Sequence, residues 1–126
     1  MADPAIELRG CSYSYDQRRP ALRDVRCTIE AGTWVALIGE NGSGKSTLAK
    51  LCNGLLRPQE GQVLIMGEDI RRRRVGEVAH QVGYLFQNPD HQIFAPTVRE
   101  EIAFDLRNLG LGGPEIERRI EEVLSL

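Results

Sequence analysis

A chain of 126 residues fits a single domain and can bury roughly two-thirds of its unfolded surface. It is 41% hydrophobic and 27% charged, with a net charge of −2, the balance of an ordinary globular protein. No apolar run approaches the ~20 residues that span a bilayer, and no basic segment with an apolar core follows the N-terminus. Arginine outnumbers lysine 14 to 2, a compositional bias rather than a binding signal.

Ile6 to Tyr15 alternates apolar and polar residues, the period of a half-buried strand. Asp16-Gln17-Arg18-Arg19-Pro20 reads as a turn. Leu22, Val25, Cys27 and Ile29 continue into a second strand, and Ala31-Gly32 turns into Thr33-Trp34-Val35-Ala36-Leu37-Ile38, an apolar run of strand character.

Next comes Gly39-Glu40-Asn41-Gly42-Ser43-Gly44-Lys45-Ser46-Thr47, a complete Walker A pattern. Its glycines let the backbone turn tightly and aim N–H groups at phosphate oxygens. Lys45 is placed to set a cation against the β- and γ-phosphates of a nucleoside triphosphate, and the Ser46 hydroxyl to ligate Mg²⁺. The expected helix behind the loop carries Leu48, Leu51, Cys52 and Leu55 on one face, and its N-terminus adds a positive dipole end to the site. Strand, glycine loop and helix in that order are the context the motif requires.

Arg57 to Gly61 breaks the chain, and Gln62-Val63-Leu64-Ile65-Met66 is a short strand ended by Gly67. Arg71-Arg72-Arg73-Arg74 reads as a solvated loop rather than a nucleic-acid contact, since the chain is mildly acidic and no aromatics interleave the arginines. Val82-Gly83-Tyr84-Leu85-Phe86 is a further strand, running into Gln87-Asn88-Pro89-Asp90. Thr97-Val98-Arg99-Glu100 is a capping box, so a helix begins near Val98 with Ile102, Ala103, Leu106 and Leu109 inward. After Gly112-Gly113-Pro114, Ile116, Ile120, Val123 and Leu124 form the apolar face of a last helix. That face has no later partner in the sequence, so all four side chains are expected to be exposed. Cys11, Cys27 and Cys52 lack metal-ligand spacing and read as buried free thiols, as suits a reducing cytoplasm. His80 and His91 read as loop-surface residues.

Small kinases carry the phosphate loop at the N-terminus, and guanine-reading switch proteins use an Asn-Lys-x-Asp element absent here. The order Tyr15, Gly39–Thr47, Gln87 instead resembles the N-terminal half of an ATP-binding cassette (ABC) ATPase. The stretches Val82–Phe94 and Thr97–Phe104 are similar to those of energy-coupling-factor and cobalt/nickel-type import ATPases. The resemblance implies an α/β fold: a P-loop core with an antiparallel strand subdomain, then the start of a helical subdomain. Its expected divisions are a strand-rich part at 5–38, the loop and helix at 39–56, strands and Q-loop at 62–96, and the helical start at 97–126.

By the same resemblance Tyr15 stacks on adenine, with Tyr13 on the same strand face as the alternative. Gln87 matches the Q-loop glutamine, whose side-chain oxygen reaches Mg²⁺ and the attacking water. The implied ligands are ATP and Mg²⁺, held by Tyr15, the residues Gly39, Glu40, Asn41, Gly42, Ser43, Gly44, Lys45, Ser46 and Thr47, and Gln87, with Ser46 and Gln87 on the metal. The implied partners are a second ATP-binding subunit and a membrane-spanning transporter subunit. The implied location is the cytoplasmic face of the membrane, and the implied cargo a vitamin or transition-metal ion.

Hydrolysis in that family needs a Leu-Ser-Gly-Gly-Gln signature, a Walker B strand ending in Asp-Glu, and a switch histidine, none of which the sequence contains. Leu111-Gly112-Gly113-Pro114 lacks the serine and the glutamine. Ile102-Ala103-Phe104-Asp105 falls on a helix and lacks the following glutamate, and Gly67 interrupts the run leading to Glu68 and Asp69. No catalytic residue is therefore expected within the chain, Gln87 being the one candidate for a water or metal contact. A non-catalytic nucleotide-binding fragment is the alternative, and a soluble ABC protein acting on nucleic acid or ribosomes a weaker one.

Overall fold

A computed structural model describes residues 3–126, which fall into two compact units, the first ending at Gly83 and the second beginning at Tyr84. In the first unit the alternating residues form β1 (Ile6–Ser14) and β2 (Pro20–Ile29), an antiparallel pair. The turn between them is set by Asp16, whose Oδ1 accepts from the backbone N–H groups of Arg18 and Arg19, each at 2.9 Å. Those two bonds, Arg19's the stronger, hold the Asp16 carboxyl below the usual carboxylate range.

On the other edge of β1 lies β3 (Glu60–Ile65), followed by the two-residue β4 (Glu68–Asp69), giving the order β2-β1-β3-β4. Leu8 faces Cys27 on one side and Val63 on the other, so alternation places all three in the ladder centre. The β1–β3 register shifts between Arg9 and Ser12. Gly61 sits at that irregularity with φ 80, and a Cβ there would lie 2.3 Å from the Gly10 carbonyl oxygen and 2.4 Å from that of Arg9. Only glycine tolerates so close a backbone approach.

The sheet buries Leu8, Cys11, Leu22, Val63 and Ile65 against Leu51 of α1 (Lys45–Cys52). Ile70, from the 3₁₀ turn Ile70–Arg72, and Val78, from α2 (Val75–Ala79), close the same core. The three thiols are free, Cys11 buried and the other two half-buried. Burial raises the Cys11 thiol and, with the other two thiols nearby, pushes Cys52 up to about 11.

Three expectations are corrected here. Thr33–Ile38 forms no ladder among the described residues and is exposed throughout, Trp34 at 102% and Ile38 at 91%. Val82–Phe86 likewise carries no strand, although Val82 packs on the core. Among the described residues neither run has a neighbouring strand to take its N–H and C=O groups, and strand-forming sequence becomes sheet only when paired. Leu55 lies past the end of α1 and is exposed. The arginine run faces solvent, Arg71, Arg72 and Arg74 being exposed, and its side chains are paired as well. Arg71 pairs with Asp69 at 2.7 Å, Arg73 donates to Gln81 at 2.6 Å, and the Glu77 carboxylate accepts from the Arg74 N–H to cap α2.

In the second unit a 3₁₀ turn at Pro89–His91 precedes α3 (Val98–Asn108) and α4 (Gly113–Leu124). Thr97 caps α3 as its sequence predicts, its side chain accepting from the Glu100 N–H. Ala103, Ile116 and Ile120 form a small core lined by Ile102, Leu106 and Leu111. The expectation of four exposed α4 side chains is corrected: α3 covers Ile116 and Ile120, leaving Val123 and Leu124 half exposed. Leu109, expected inward, lies beyond the last turn of α3 and is exposed. Arg99 spans the two helices, donating to both Glu117 and Glu121.

Candidate nucleotide-binding site

The loop Gly39–Gly44 leads directly into α1, with Gly44 as N-cap at φ 95 and ψ 7. A Cβ at Gly44 would meet the Ala21 carbonyl oxygen at 2.7 Å and a Leu22 methyl at 2.9 Å, so this glycine lets the helix start press against β2. The left-handed turn and the contact each demand glycine. The first turn of α1 then presents the N–H groups of Lys45, Ser46 and Thr47, which have no carbonyl a turn behind them. Those donors and the helix dipole make a locus for anionic oxygen.

Lys45 turns its ammonium into the loop and donates to the carbonyl oxygens of Gly39 and Glu40, both at 2.7 Å. The cation is thereby held over the concave side of the loop. Ser43 donates its backbone N–H to the Glu40 carbonyl at 3.2 Å, closing the turn around Asn41 and Gly42. Ser46 is exposed at the helix start, whereas Thr47 is buried.

Tyr15 follows the end of β1 and is 63% exposed, its hydroxyl sharing a 3.1 Å hydrogen bond with Thr47 Oγ1. Tyr13, the alternative platform, packs against the core and meets the Tyr15 ring edge-on at 5.1 Å. The open aromatic face beside the loop thus belongs to Tyr15. That bond is not legible in the sequence: it depends on α1 lying against the sheet.

Gln87 is exposed in the second unit, in a shallow hollow of about 640 Å³ lined by Phe86, Asn88 and His91. Asn88 and His91 side chains approach at 3.3 Å, and Gln92 braces the segment, donating to the Tyr84 carbonyl and accepting from the Phe86 N–H. Among the acidic residues weighed for metal support, Asp69 is paired with Arg71, Glu68 faces Arg73 at 3.8 Å, and Asp105 stands exposed on α3. No group of three or more His, Cys, Asp or Glu is placed to hold a metal among the described residues.

A glycine loop feeding a helix, a lysine folded over it and an aromatic at its lip define a P-loop nucleotide-binding domain. The sequence model of the ABC transporter family matches residues 22–126, and the chain belongs to that family. It is 50% identical over 121 residues to the energy-coupling factor transporter ATP-binding protein EcfA of Methanothermobacter thermautotrophicus, covering 94% of this chain and 39% of that protein. Enterococcus faecium EcfA is 44% identical over 124 residues, covering 97% of this chain and 44% of its own length. The structure of CbiO1 from Clostridium perfringens, part of the ABC transporter complex cbiONQ, superposes with a TM-score of 0.85 at 31% identity over 98% of this chain and 50% of that one. The chain spans about half or less of the length of these relatives. The α/β fold, with its antiparallel sheet and P-loop helix, is that of a partial ABC ATPase domain.

Proposed function

We propose that this chain supplies the triphosphate- and base-binding half of an ATP site in an energy-coupling-factor importer. In the whole protein that site couples ATP binding and hydrolysis to uptake of a vitamin or transition-metal ion through a membrane-spanning subunit. The observation that carries the reading is the Lys45 ammonium held over the loop beside the free N–H groups at the start of α1. Phosphate oxygens entering there accept from those N–H groups and replace the two carbonyls as partners of Lys45. Tyr15 offers its exposed ring to the base.

Mg²⁺ fits the donor chemistry in part: the exposed Ser46 hydroxyl is a hard oxygen beside the phosphate locus, and Gln87 offers an amide oxygen. The ion would neutralise charge on the β- and γ-oxygens. Ser46 would hold it at the helix start, while Lys45 keeps the phosphates in register. EcfA and CbiO1 are named as components of transporter complexes, and a second ATP-binding subunit with a membrane partner is proposed here by that likeness. No helix of the described residues is long and apolar enough to cross a membrane, which accords with attachment at the cytoplasmic face through such a partner.

A second reading is nucleotide binding without turnover. It is favoured by the pairing of Asp69 with Arg71 and of Glu68 with Arg73. Titration with a fluorescent ATP analogue tests the binding common to both readings. Lys45→Ala removes a charge-assisted contact of about 1.5–3 kcal/mol, a loss of roughly 10–100-fold in affinity. Equal dissociation constants for wild type and mutant would rule out the phosphate-loop assignment. Steady-state phosphate release, with Lys45→Ala as the blank, then separates them: Lys45-dependent turnover by this chain would overturn the non-catalytic reading.

A further inference from the structure

The aromatic at the lip of the loop is held from two sides. β3 begins at Glu60, and the residue two before it is Pro58, which has no N–H to give to a ladder. The β1–β3 backbone pairing accordingly stops at Ser12, where the Gln59 N–H donates to the Ser12 carbonyl at 2.9 Å. Beyond that point the Gln59 side chain stands in for the missing strand. Its Oε1 accepts from the Ser14 N–H at 2.9 Å, and its Nε2 donates to the Ser14 carbonyl at 3.1 Å. A planar amide thus extends the ladder by one rung and fixes the peptide that immediately precedes Tyr15. At the other end of the side chain, the Tyr15 hydroxyl is tied to Thr47 in the first turn of α1.

We infer that Gln59 and Thr47 are positioning residues for Tyr15, presetting the base platform at a fixed place relative to the phosphate loop. The inference rests on the reading of Tyr15 as the adenine-stacking residue. An exposed tyrosine at a strand end has freedom to lose when a base stacks on it, and an anchored one has lost that freedom beforehand. The gain appears only for ligands that carry a base. Gln59 lies on the sheet edge and not in the phosphate loop, so its effect separates the base contribution from the phosphate contribution.

The test measures affinity of the 126-residue chain for ATP and for inorganic triphosphate. Gln59→Ala is expected to weaken ATP about threefold to tenfold, the range of a lost hydrogen-bond pair, and to leave inorganic triphosphate unchanged. Tyr15→Phe and Thr47→Val are each expected to weaken ATP by a similar factor, with no further loss when combined, because they delete the same bond. Thr47→Ser, which keeps the hydroxyl, is expected to restore the wild-type ATP constant in place of Thr47→Val. Tyr15→Ala separates the two layers of the argument. If it leaves ATP affinity unchanged, the stacking reading fails and the inference falls with it. If Tyr15→Ala weakens ATP while Gln59→Ala and Tyr15→Phe do not, the stacking reading stands and the inference is overturned. Equal losses of ATP and inorganic triphosphate in Gln59→Ala would also overturn it, since that is general damage to the fold.

Discussion

The sheet β2-β1-β3 and the run Thr33–Ile38 are both rich in β-formers, yet one is a closed hydrogen-bonded ladder and the other makes none. The difference lies in where each finds its partner. β1 and β2 are joined by a short turn, and β3 returns beyond α1 to lie antiparallel on the free edge of β1, pairing Ile65 with Ile6, so every rung has its partner among the described residues. Thr33–Ile38 is apolar at nearly every position, the pattern of a strand covered on both faces in a parallel sheet. Such a strand needs neighbours reached by crossover, and none lies among the described residues. The sheet has both flanks of β1 supplied; a central parallel strand is likewise defined by what flanks it.

Stability measurements break this contrast if it is wrong, and the largest effect is expected in the core. Leu51→Ala should lower unfolding free energy by about 2–5 kcal/mol, because Leu51 is wholly buried between α1 and the sheet. Ile38→Ala in the same urea titration should fall within about 0.5 kcal/mol of wild type, as for any exposed site. Comparable losses from both would mean that Thr33–Ile38 is covered after all. Hydrogen exchange sharpens the contrast residue by residue. Amides of Ile6–Leu8 and Val63–Ile65 should be protected to nearly the global free energy, while those of 33–38 exchange freely. Quenching of Trp34 by iodide should approach that of free tryptophan, since its side chain is fully open to solvent.

Two smaller effects concern the second unit, whose cohesion depends on surface ion pairs more than the first's does. Arg99→Ala removes the fork to Glu117 and Glu121 and should cost about 0.2–1 kcal/mol per exposed pair, halved or less at high salt. The smallest effect is acidic. Hydrogen bonds from Arg118 and then Arg119 hold the Glu115 carboxyl at about 2, down from its usual 4.5. A depressed folded value means the contribution is whole above about 4.5 and disappears as pH falls toward about 2. Glu115→Gln should flatten the stability profile of α4 within that window alone, followed by circular dichroism.

The phosphate loop and the alternation of β1 were legible in the sequence because each is a local pattern with a local physical cause. So was the Thr97 cap, which needs only Glu100 three residues on. Three features were not. The apolar run before the loop has strand composition, but its state is decided by distant neighbours. The arginine run reads as solvated because charge patterning cannot show that Asp69, Gln81 and Glu77 answer it across a turn. The anchoring of Tyr15 joins residues far apart in the chain, through a register shift at Gly61 that no periodicity announces.

The folded-over lysine has a consequence for how the cradle fills. Its two loop carbonyls hold the ammonium across the loop, so Lys45 ties Gly39 and Glu40 to the start of α1. Filling is then an exchange of partners, not a collapse onto the ligand. Each incoming oxygen displaces a carbonyl already bonded at 2.7 Å, and departure restores both bonds.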